Sequence, residues 1–332
     1  MTRKRITIIG TGCIGASMGM ALRQSPAAKE LEIVGHDREQ GIARQAEKDG
    51  AFDNTMIFLN RALRDAAVVV LAVPLGAMRE VLSDLGRLLE PDSGVIVTDT
   101  APLKAPVLAW ADELLPPGVH FIGGDPILVP AEEGGRSPSS VVDARPDLLQ
   151  HAVYTITVRP TDDREAIEAV TNLADLVGAT PLYMDPVEHD GVRQMMHTLP
   201  DLAATALIRA TSSHPGWSEM RKVASHRYAT VTAAIEGDLE SRRLMAEMGA
   251  TALLSGIDNL IEELQALREA IAAGKGDDLA QRLEEAANMR ERWLIQALSR
   301  NWEGESAPSP ELPSAAQRTI EILFGRRKKR GQ

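Results

Sequence analysis

The sequence predicts an α/β protein, with a Rossmann-type doubly wound parallel sheet followed by a second, all-helical domain. Three observations predict this fold. A short apolar run enters a glycine-rich turn, Gly10-x-Gly12-x-x-Gly15, which leads into a helix-compatible segment. Short β-rich runs then alternate with helical patterns through the first half, as is typical of a parallel sheet wound by helices. Beyond Glu188 nearly every segment has helical spacing.

The glycine-rich turn matches a dinucleotide-binding fingerprint. Gly10 allows the tight turn from strand to helix, Gly12 lets the backbone approach a pyrophosphate, and Gly15 permits close packing of helix on strand. The first turn of the helix, with Cys13 and Ile14, offers free N–H groups where an anion is stabilised. We therefore predict that the cofactor is bound by Gly10, Gly12, Cys13, Ile14 and Gly15.

An acidic residue, Asp37, follows the second apolar run, 22 positions after Gly15. Its carboxylate would accept hydrogen bonds from a ribose 2′-hydroxyl and repel a 2′-phosphate, which favours NAD over NADP. The neighbouring Arg38 keeps NADP open, because a guanidinium can stack on adenine or meet a 2′-phosphate. Val73 and Pro74 end a later apolar run, at the edge where ligands of open α/β sheets bind, so they join the predicted cofactor site.

Composition limits the functional class. The chain has 332 residues, 44% of them hydrophobic, and a formal charge of −11, which disfavours nucleic acid as a partner. An anionic substrate would need local cations. The single cysteine, Cys13, excludes an intrachain disulfide and favours a reducing compartment. The apolar run near the N-terminus is too short for a signal segment or a membrane span. We predict a cytoplasmic protein with no membrane partner and no metal site.

The remaining elements follow in order along the chain. Further strands of the first domain are predicted at the apolar runs 68–73, 94–98, 120–123 and 154–158. We place this dinucleotide-binding domain at residues 1–159. A helix capped near Asp162 and ended by Gly178 opens the helical substrate and dimerisation domain, 160–300, in which 180–184 is a short strand.

The second domain carries an apolar pattern that suggests a dimer. From Leu253 to Ile271, apolar residues alternate at spacings of four and three, as in a long helix with a knobs-into-holes partner. Gly274-Lys275-Gly276 breaks this helix, and another follows. We expect a homodimer formed through this domain. Residues 301–332 are a linker and a basic tail, which we predict to be disordered.

Several motifs together resemble the prephenate dehydrogenase family. They are the glycine turn, Asp99-x-x-x-x-Lys104, Gly123-Gly124-x-Pro126, and Glu188-His189-Asp190 followed by Leu199-Pro200. Members of the family oxidise the C4 hydroxyl of prephenate by hydride transfer to a nicotinamide and lose carbon dioxide, which yields 4-hydroxyphenylpyruvate for tyrosine biosynthesis. The resemblance runs from residue 5 to about residue 295 and implies an NAD(P)-dependent oxidoreductase with a small anionic substrate.

The sequence departs from the family where the resemblance places the substrate. Pro102 stands at the serine of the family pattern D-x-x-S-x-K, and Asp125 stands at the histidine of H-P-M that contacts the hydroxyl. Two further family patterns, S-H-L-P-H and T-R-I-A, appear as His197-Thr198-Leu199-Pro200-Asp201 and Thr232-Ala233-Ala234-Ile235. The second of these lacks the family's substrate-binding arginine.

Three side chains are predicted to carry the catalysis: Asp125, His197 and Lys104. Asp125 would accept the hydroxyl proton if burial raised its pKa, or it is a structural carboxylate in a Gly-Asp-Pro turn. His197 lies about 100° around the helix from the family's histidine, so it substitutes only if that helix is rotated or shifted. Lys104 would neutralise a substrate carboxylate. Further substrate contacts are expected from Arg193, one helical turn before His197, and from Thr198.

Other functions remain open at this point. Added carboxylates at Asp125 and Asp201 would suit arogenate, in which an amino group replaces the keto group of prephenate. The same scaffold serves other β-hydroxyacid dehydrogenases and imine reductases, in which Lys104 or Asp125 would handle the proton. A cofactor-binding pseudoenzyme also fits the replaced residues. The pair His189-Asp190 fits a cap at the entry of a helix.

Overall fold

The structure is a computed structural model that describes residues 3–128, 140–235 and 237–299. The predicted linker and basic tail at 301–332 lie outside the described residues. Within the described ranges, no helix combines the length and the apolar character needed to cross a membrane.

Eight strands form one sheet. They are β1 (Lys4–Ile9), β2 (Leu31–His36), β3 (Asn54–Thr55), β4 (Ala66–Leu71), β5 (Ile96–Asp99), β6 (His120–Ile127), β7 (Val153–Thr157) and β8 (Thr180–Met184). Their spatial order is β3-β2-β1-β4-β5-β6-β7-β8. Neighbours from β3 to β6 run parallel, β7 runs antiparallel to β6, and β8 runs parallel to β7.

Helices cover both faces of this sheet. In chain order they are α1 (Cys13–Gln24), α2 (Gln40–Lys48), α3 (Leu59–Ala62), α4 (Leu75–Leu88), α5 (Ala105–Leu114) and α6 (Arg164–Leu176). Along β4, Val68 and Val70 pack into the core with α1 and α6, whereas Val69 and Leu71 pack into the core with α4 and α5. This alternation between two buried faces confirms the predicted doubly wound sheet.

The sheet continues beyond residue 159, where the sequence is expected to leave the first domain. β8 pairs with β7 over five residues, and α6 packs its buried face on the sheet. The strand predicted at 180–184 is therefore the edge of the sheet and not part of the helical domain. We propose a division at Asp185, because the chain is wholly helical or looped after that residue in the described ranges.

Strands β7 and β8, which run opposite to β6, bring the chain back to the carboxyl edge of the sheet. The last β5–β6 pair in the register joins Thr98 to Ile122, so β6 extends past β5 to Ile127. β7 and β8 run back along this extension, and β8 ends at Met184. The next helix therefore begins beside the residues that follow β5, where ligands bind in open α/β sheets.

The rest of the described chain is helical. Its elements are α7 (Pro186–Arg193), a π turn (Gln194–Thr198), α8 (Leu199–Ser212), α9 (Trp217–Met220), α10 (His226–Thr232), a 3₁₀ turn (Ala233–Ile235), α11 (Leu239–Met248), α12 (Ala250–Ala272) and α13 (Gly276–Ser299). The break predicted at Gly274 is confirmed, because Gly274 has a φ of +66° between α12 and α13. Many apolar side chains of these last two helices are exposed, among them Leu254, Ile261, Leu264, Ile271, Leu283 and Trp293.

Candidate active site

The glycine turn has the geometry of a dinucleotide cradle. Gly10 has a φ of +93°, and a Cβ at this position would lie 2.3 Å from the carbonyl oxygen of Ala72. A Cβ on Gly15 would lie 1.9 Å from the carbonyl oxygen of Gly10, so the helix can pack this closely only with glycine there. Around Gly12, by contrast, the space is open. Gly12 is the N-cap of α1, and Cys13 lies in the first turn of the helix. Because no side chain caps this turn, the backbone N–H groups of the turn are available to a pyrophosphate.

Asp37 holds this turn in place. Its Oδ2 accepts hydrogen bonds from the backbone N–H and the hydroxyl of Thr11 at 2.8 and 3.1 Å, and its Oδ1 accepts the N–H of Glu39 at 2.9 Å. A cavity of about 210 Å³ opens beside Asp37, between α2 and the end of β3, with Arg44 among its lining residues. This is the position expected for the adenosine end of a dinucleotide. Arg38 is exposed next to it.

The other predicted cofactor residues also lie at this edge. A Cβ on Gly10 would be 3.0 Å from Cγ1 of Val73, and Pro74 is the N-cap of α4. β4 ends at Leu71, earlier than the predicted Val73, because the chain turns toward that cap. Ile14 is partly buried against the sheet. Burial raises the pKa of Cys13 to about 11, so its thiol stays neutral. Cys13 would therefore contribute to cofactor binding through its backbone N–H. The described residues fit a dinucleotide.

Lys104 is fully buried and paired within the protein. Its Nζ donates to Oδ2 of Asp99 at 2.5 Å and to the carbonyl oxygen of Gly124 at 2.6 Å. Burial raises the pKa of Asp99, although Lys104 opposes the shift. A fully buried ammonium with two strong acceptors is not exposed to a ligand in this structure, and the contact of Lys104 with a substrate carboxylate stays a prediction. The ion pair of Lys104 fixes the backbone immediately before Asp125.

Asp125 lies on the extension of β6 and is 2% exposed. Its Oδ2 is 3.2 Å from Nε2 of His189 and 2.9 Å from Nε of Arg193, both on α7. The Arg193 nitrogen is not aligned as a hydrogen-bond donor, so that contact is chiefly coulombic. Burial alone would raise the pKa of Asp125, but Arg193, His189 and Lys104 together lower it. The predicted raised pKa is therefore wrong, and Asp125 is ionised.

His189 connects Asp125 to a second carboxylate. Its Nδ1 is 3.1 Å from Oδ1 of Asp190, and the ring is 1% exposed. Asp190 in turn accepts the backbone N–H groups of Lys104 and Ala105 at 2.6 and 2.9 Å, at the start of α5. Burial would lower the pKa of His189, but its hydrogen bonds to Asp125 and Asp190 raise it. The pair predicted as a helix-entry cap is thus part of the site, and Asp185 caps α7.

Three carboxylates and three cations make up this group, which we call the charge cluster: Asp99, Asp125, Asp190, Lys104, His189 and Arg193. One ion pair joins β5 to Lys104 at the N-cap of α5, two join β6 to α7, and one lies within α7. Because the charges balance, a buried network of this size is tolerated in the protein. Nε of Arg193 contacts Asp125, and the substrate contact expected of Arg193 stays a prediction.

The π turn places two more predicted residues beside the cluster. Thr198 is buried, and its hydroxyl has no hydrogen-bond partner among the residues that the structure describes. His197 reaches solvent, yet desolvation by the surrounding protein and the charge of Arg193 lower its pKa, with Asp201, Asp125 and Arg242 also acting on it. The charges that act on His197 thus come both from the charge cluster and from Arg242 on α11.

Sequence reasoning missed His189, Asp190 and Arg242 as site residues. The family pattern Glu188-His189-Asp190 pointed to His189 and Asp190. The residues that these two side chains contact, however, depend on where β7 and β8 place α7. Arg242 has no motif. The described residues contain no group of histidine, cysteine and acidic side chains that could hold a metal ion. A cavity of about 350 Å³ near His120 and Arg159 lies at the amino end of β6, away from the site.

Comparison with known families agrees with this architecture. Residues 18–183 match the family model described as prephenate dehydrogenase, nucleotide-binding domain, and residues 185–285 match prephenate dehydrogenase, dimerization domain. The chain belongs to the prephenate dehydrogenase family. The two matches meet where β8 ends and α7 begins.

Two curated relatives of the family cover most of the chain. The cyclohexadienyl dehydrogenase of Zymomonas mobilis is 30% identical over 292 residues, which are 86% of this chain and 95% of that protein. The prephenate dehydrogenase of Bacillus subtilis is 25% identical over 291 residues, 86% of this chain and 75% of that protein.

Solved structures of the family share the fold. The prephenate dehydrogenase of Aquifex aeolicus, in complex with hydroxyphenyl propionate and NAD+, has a TM-score of 0.75 at 23% identity, with 88% of this chain and 99% of that chain covered. The arogenate dehydrogenase of Synechocystis has a TM-score of 0.68 at 24% identity, with 87% and 99% covered.

Proposed function

We propose that this protein is an NAD-dependent dehydrogenase that oxidises the ring hydroxyl of prephenate or arogenate and releases carbon dioxide. The family membership and the dinucleotide cradle support the reaction class. The observation that carries the proposal is the ionised, buried carboxylate of Asp125, which lies at the carboxyl edge of the sheet at the position of the family's catalytic histidine.

The cofactor assignment rests on the cradle and on Asp37. When bound, NAD would accept the hydride from the ring carbon. The backbone of Gly12, Cys13 and Ile14 would hold its pyrophosphate, and Asp37 would repel the extra phosphate of NADP. The relative from Aquifex aeolicus has NAD+ bound.

Asp125 would accept the proton of the ring hydroxyl while the hydride leaves. A hydroxyl on a carbon that is losing hydride becomes a protonated carbonyl, which is a strong acid, so even a carboxylate with a lowered pKa is a sufficient acceptor. Loss of the ring carboxyl as carbon dioxide leaves its electron pair in the ring, which becomes a phenolate. Asp125 would return the proton to the phenolate oxygen, and no net proton is released.

The first prediction concerns Asp125→Asn, which preserves the shape of the side chain and removes the proton acceptor. We expect kcat with NAD to fall about 100-fold or more, as for other lost proton-transfer groups. The measurement is the steady-state formation of reduced nicotinamide with prephenate and with arogenate. Asp112→Asn, which removes an exposed carboxylate of α5 far from the charge cluster, is the matched control and should leave kcat unchanged.

Contrary outcomes are clear. An Asp125→Asn variant that is folded and fully active would show that this carboxylate is structural. If the wild-type protein turns over neither substrate with NAD or NADP, the proposed function is wrong, and a screen of small hydroxyacids and imines would test the other dehydrogenase activities. Cofactor binding with no substrate at all would instead indicate a pseudoenzyme.

We also propose that the protein is a homodimer and works in the cytoplasm. The match to a dimerization domain and the exposed apolar side chains of α12 and α13 support the dimer. The single cysteine of the chain, buried beside the glycine turn, suits a reducing compartment.

A further inference from the structure

An arginine on the segment that leads into β7 lies against the start of α1. This segment includes the 3₁₀ turn Val141–Asp143, which packs on α1 and α2, the helices beside the glycine turn and the adenosine cavity. Two residues later, the backbone N–H of Arg145 donates to the hydroxyl of Ser17 at 3.1 Å. Ser17 is buried in α1, about one helical turn after Cys13. The backbone of Arg145 is therefore fixed close to the first turn of α1, where we expect the pyrophosphate.

The charge of this arginine also reaches the first turn of α1. Burial is the main cause of the raised pKa of the Cys13 thiol, the charge of Asp143 raises that pKa further, and the charge of Arg145 lowers it. A charged group changes the pKa of another only when the two lie near each other. The side chains of Asp143 and Arg145 therefore both lie near Cys13, and an anion bound at this turn would experience both charges.

These two charged side chains are held differently. Oδ2 of Asp143 accepts the N–H and the hydroxyl of Ser140, both at 3.0 Å, so this carboxylate is held on its own segment. Nε of Arg145 is 3.2 Å from Oδ1 of Asp147, and the side chains of that pair are 55% and 62% exposed. Exposed ion pairs contribute little to stability, because water and salt screen them. The guanidinium can therefore leave Asp147 for a stronger anion.

A pyrophosphate at the glycine turn needs a cation of this kind. It would bring negative charge close to Asp143, in a chain whose net charge is −11. The first turn of α1 has no charged side chain, and the N–H groups of a helix terminus supply only about half a unit charge. The cations of the charge cluster are paired with carboxylates of the chain. A guanidinium, in contrast, forms charge-assisted hydrogen bonds with phosphate oxygens.

We infer that the guanidinium of Arg145 turns from Asp147 to the pyrophosphate of NAD when the cofactor binds, and neutralises part of its charge. This inference rests on the proposed function, because it concerns the cofactor of that site. Ser17 positions the backbone of Arg145, the first turn of α1 donates its N–H groups, and the guanidinium supplies the opposite charge. Arg145 is then a cofactor-binding residue that lies more than 120 residues after the glycine turn and outside its sequence pattern.

The test measures ligand binding to wild-type protein and to Arg145→Gln by calorimetry. Glutamine keeps the backbone N–H that donates to Ser17, so the variant should unfold at the same denaturant concentration as wild-type protein. NAD and ADP-ribose, which both contain the pyrophosphate, should bind about tenfold more weakly to the variant. Adenosine, which lacks the pyrophosphate, should compete with NAD equally well in both proteins. Arg164→Gln, which removes an exposed and paired arginine at the start of α6, is the matched control.

A second variant, Asp147→Asn, tests the same inference from the other partner. It removes the carboxylate that competes for the guanidinium, so NAD should bind at least as tightly as it does to wild-type protein. Unchanged affinity for NAD and ADP-ribose in Arg145→Gln, an equal loss for adenosine, or weaker NAD binding in Asp147→Asn would each overturn the inference and leave the dehydrogenase function standing. If wild-type protein binds no NAD, the proposed function and this inference are both wrong.

Discussion

At the scale of single residues, His189 is held by two groups that can only accept hydrogen bonds. Carboxylate oxygens of Asp125 and Asp190 face its two ring nitrogens, so both contacts are satisfied together only when the imidazole carries two protons. His189 is then a cation, and its charge helps to keep Asp125 ionised. The exchange of a family histidine for Asp125 on β6 is thus matched by positive charge on α7.

The second prediction is a pH dependence of stability. Because the folded state raises the pKa of His189 above its ordinary 6.5, the stabilisation is complete below that value and is lost as pH rises through the folded pKa. Asp125 has a lowered pKa, so its contribution is present above its ordinary 3.8 and is lost as pH falls further. Each unit of pKa shift corresponds to about 1.4 kcal/mol.

Denaturant unfolding of wild-type protein and His189→Gln across a pH series measures this effect. The gap in the free energy of unfolding should be largest from mildly acid to neutral pH and should shrink in alkaline solution. His214→Gln, which alters an exposed histidine, is the control and should show no such trend. A gap that grows with pH would mean that His189 is neutral in the folded protein.

The sequence predicted part of this site and missed the rest for physical reasons. The glycine turn and Asp37 are local signals, because their roles follow from neighbouring backbone, and the structure brings them together. Lys104 was placed near the site, but its partners Asp99 and Gly124 were not predicted, since nothing local shows that they enclose its ammonium. His189 meets Asp125 across 64 residues of sequence, a contact that depends on the path of the strands between them.

At the scale of elements, the first turn of α1 combines tight packing with open space. A Cβ on Gly15 would collide with the carbonyl oxygen of Gly10, whereas a methyl group on Gly12 would meet no atom within 4 Å in the free protein. Gly12 also has a φ of −67°, which alanine adopts readily. The glycine at this position is therefore needed for the ligand and not for the fold.

The third prediction follows from that difference. Gly12→Ala should unfold at the same denaturant concentration as wild-type protein but bind NAD at least about tenfold more weakly, because its methyl group occupies the approach of the pyrophosphate. Gly276→Ala, at the start of α13, has the same open surroundings far from the cradle along the chain and is the matched control. Calorimetric titration with NAD measures both. Unchanged affinity in Gly12→Ala would place the pyrophosphate elsewhere.

The π turn between α7 and α8 is an element that apolar spacing could not reveal. It leaves Oε1 of Gln194 and the hydroxyl of Thr198 without hydrogen-bond partners in the described part of the chain. Such turns often occur at functional sites. Because a π turn changes the angle between successive side chains, the orientation expected for His197 from regular helix geometry does not apply here.

At the scale of the whole molecule, the reversal of β7 and β8 positions the helical domain. β6 extends past the carboxyl edge of the other parallel strands, β7 runs back along this extension, and α6 crosses over to β8. β8 ends at Met184 near that edge, so α7 starts beside β5 and β6. Strand β8 was predicted from its own residues. Its place in the sheet, however, depends on pairing with β7, which ends 23 residues before β8 begins.

The fourth prediction concerns the dimer. Leu264 is 57% exposed on α12, among apolar side chains that a partner subunit would cover. Leu264→Glu should shift the protein toward monomer, because it would bury a charge in the interface. Sedimentation velocity measures the change. Leu88→Glu, at an exposed apolar position on α4, is the control and should sediment as wild-type protein does. Unchanged assembly of the Leu264 variant would locate the interface on another face.

Charge balance in the cluster affects how a substrate reaches the site. Paired cations project little field into solvent, so the net charge of −11 governs the electrostatic potential that an approaching anionic substrate meets. Salt screens such repulsion over a Debye length of about 10 Å at 0.1 M ionic strength. As a fifth prediction, kcat/KM should rise as potassium chloride is added, whereas an enzyme that steers anions with exposed cations loses rate. Substrate would then reach the site by diffusion against a weak electrostatic repulsion. The site would discriminate between substrates only after they enter it.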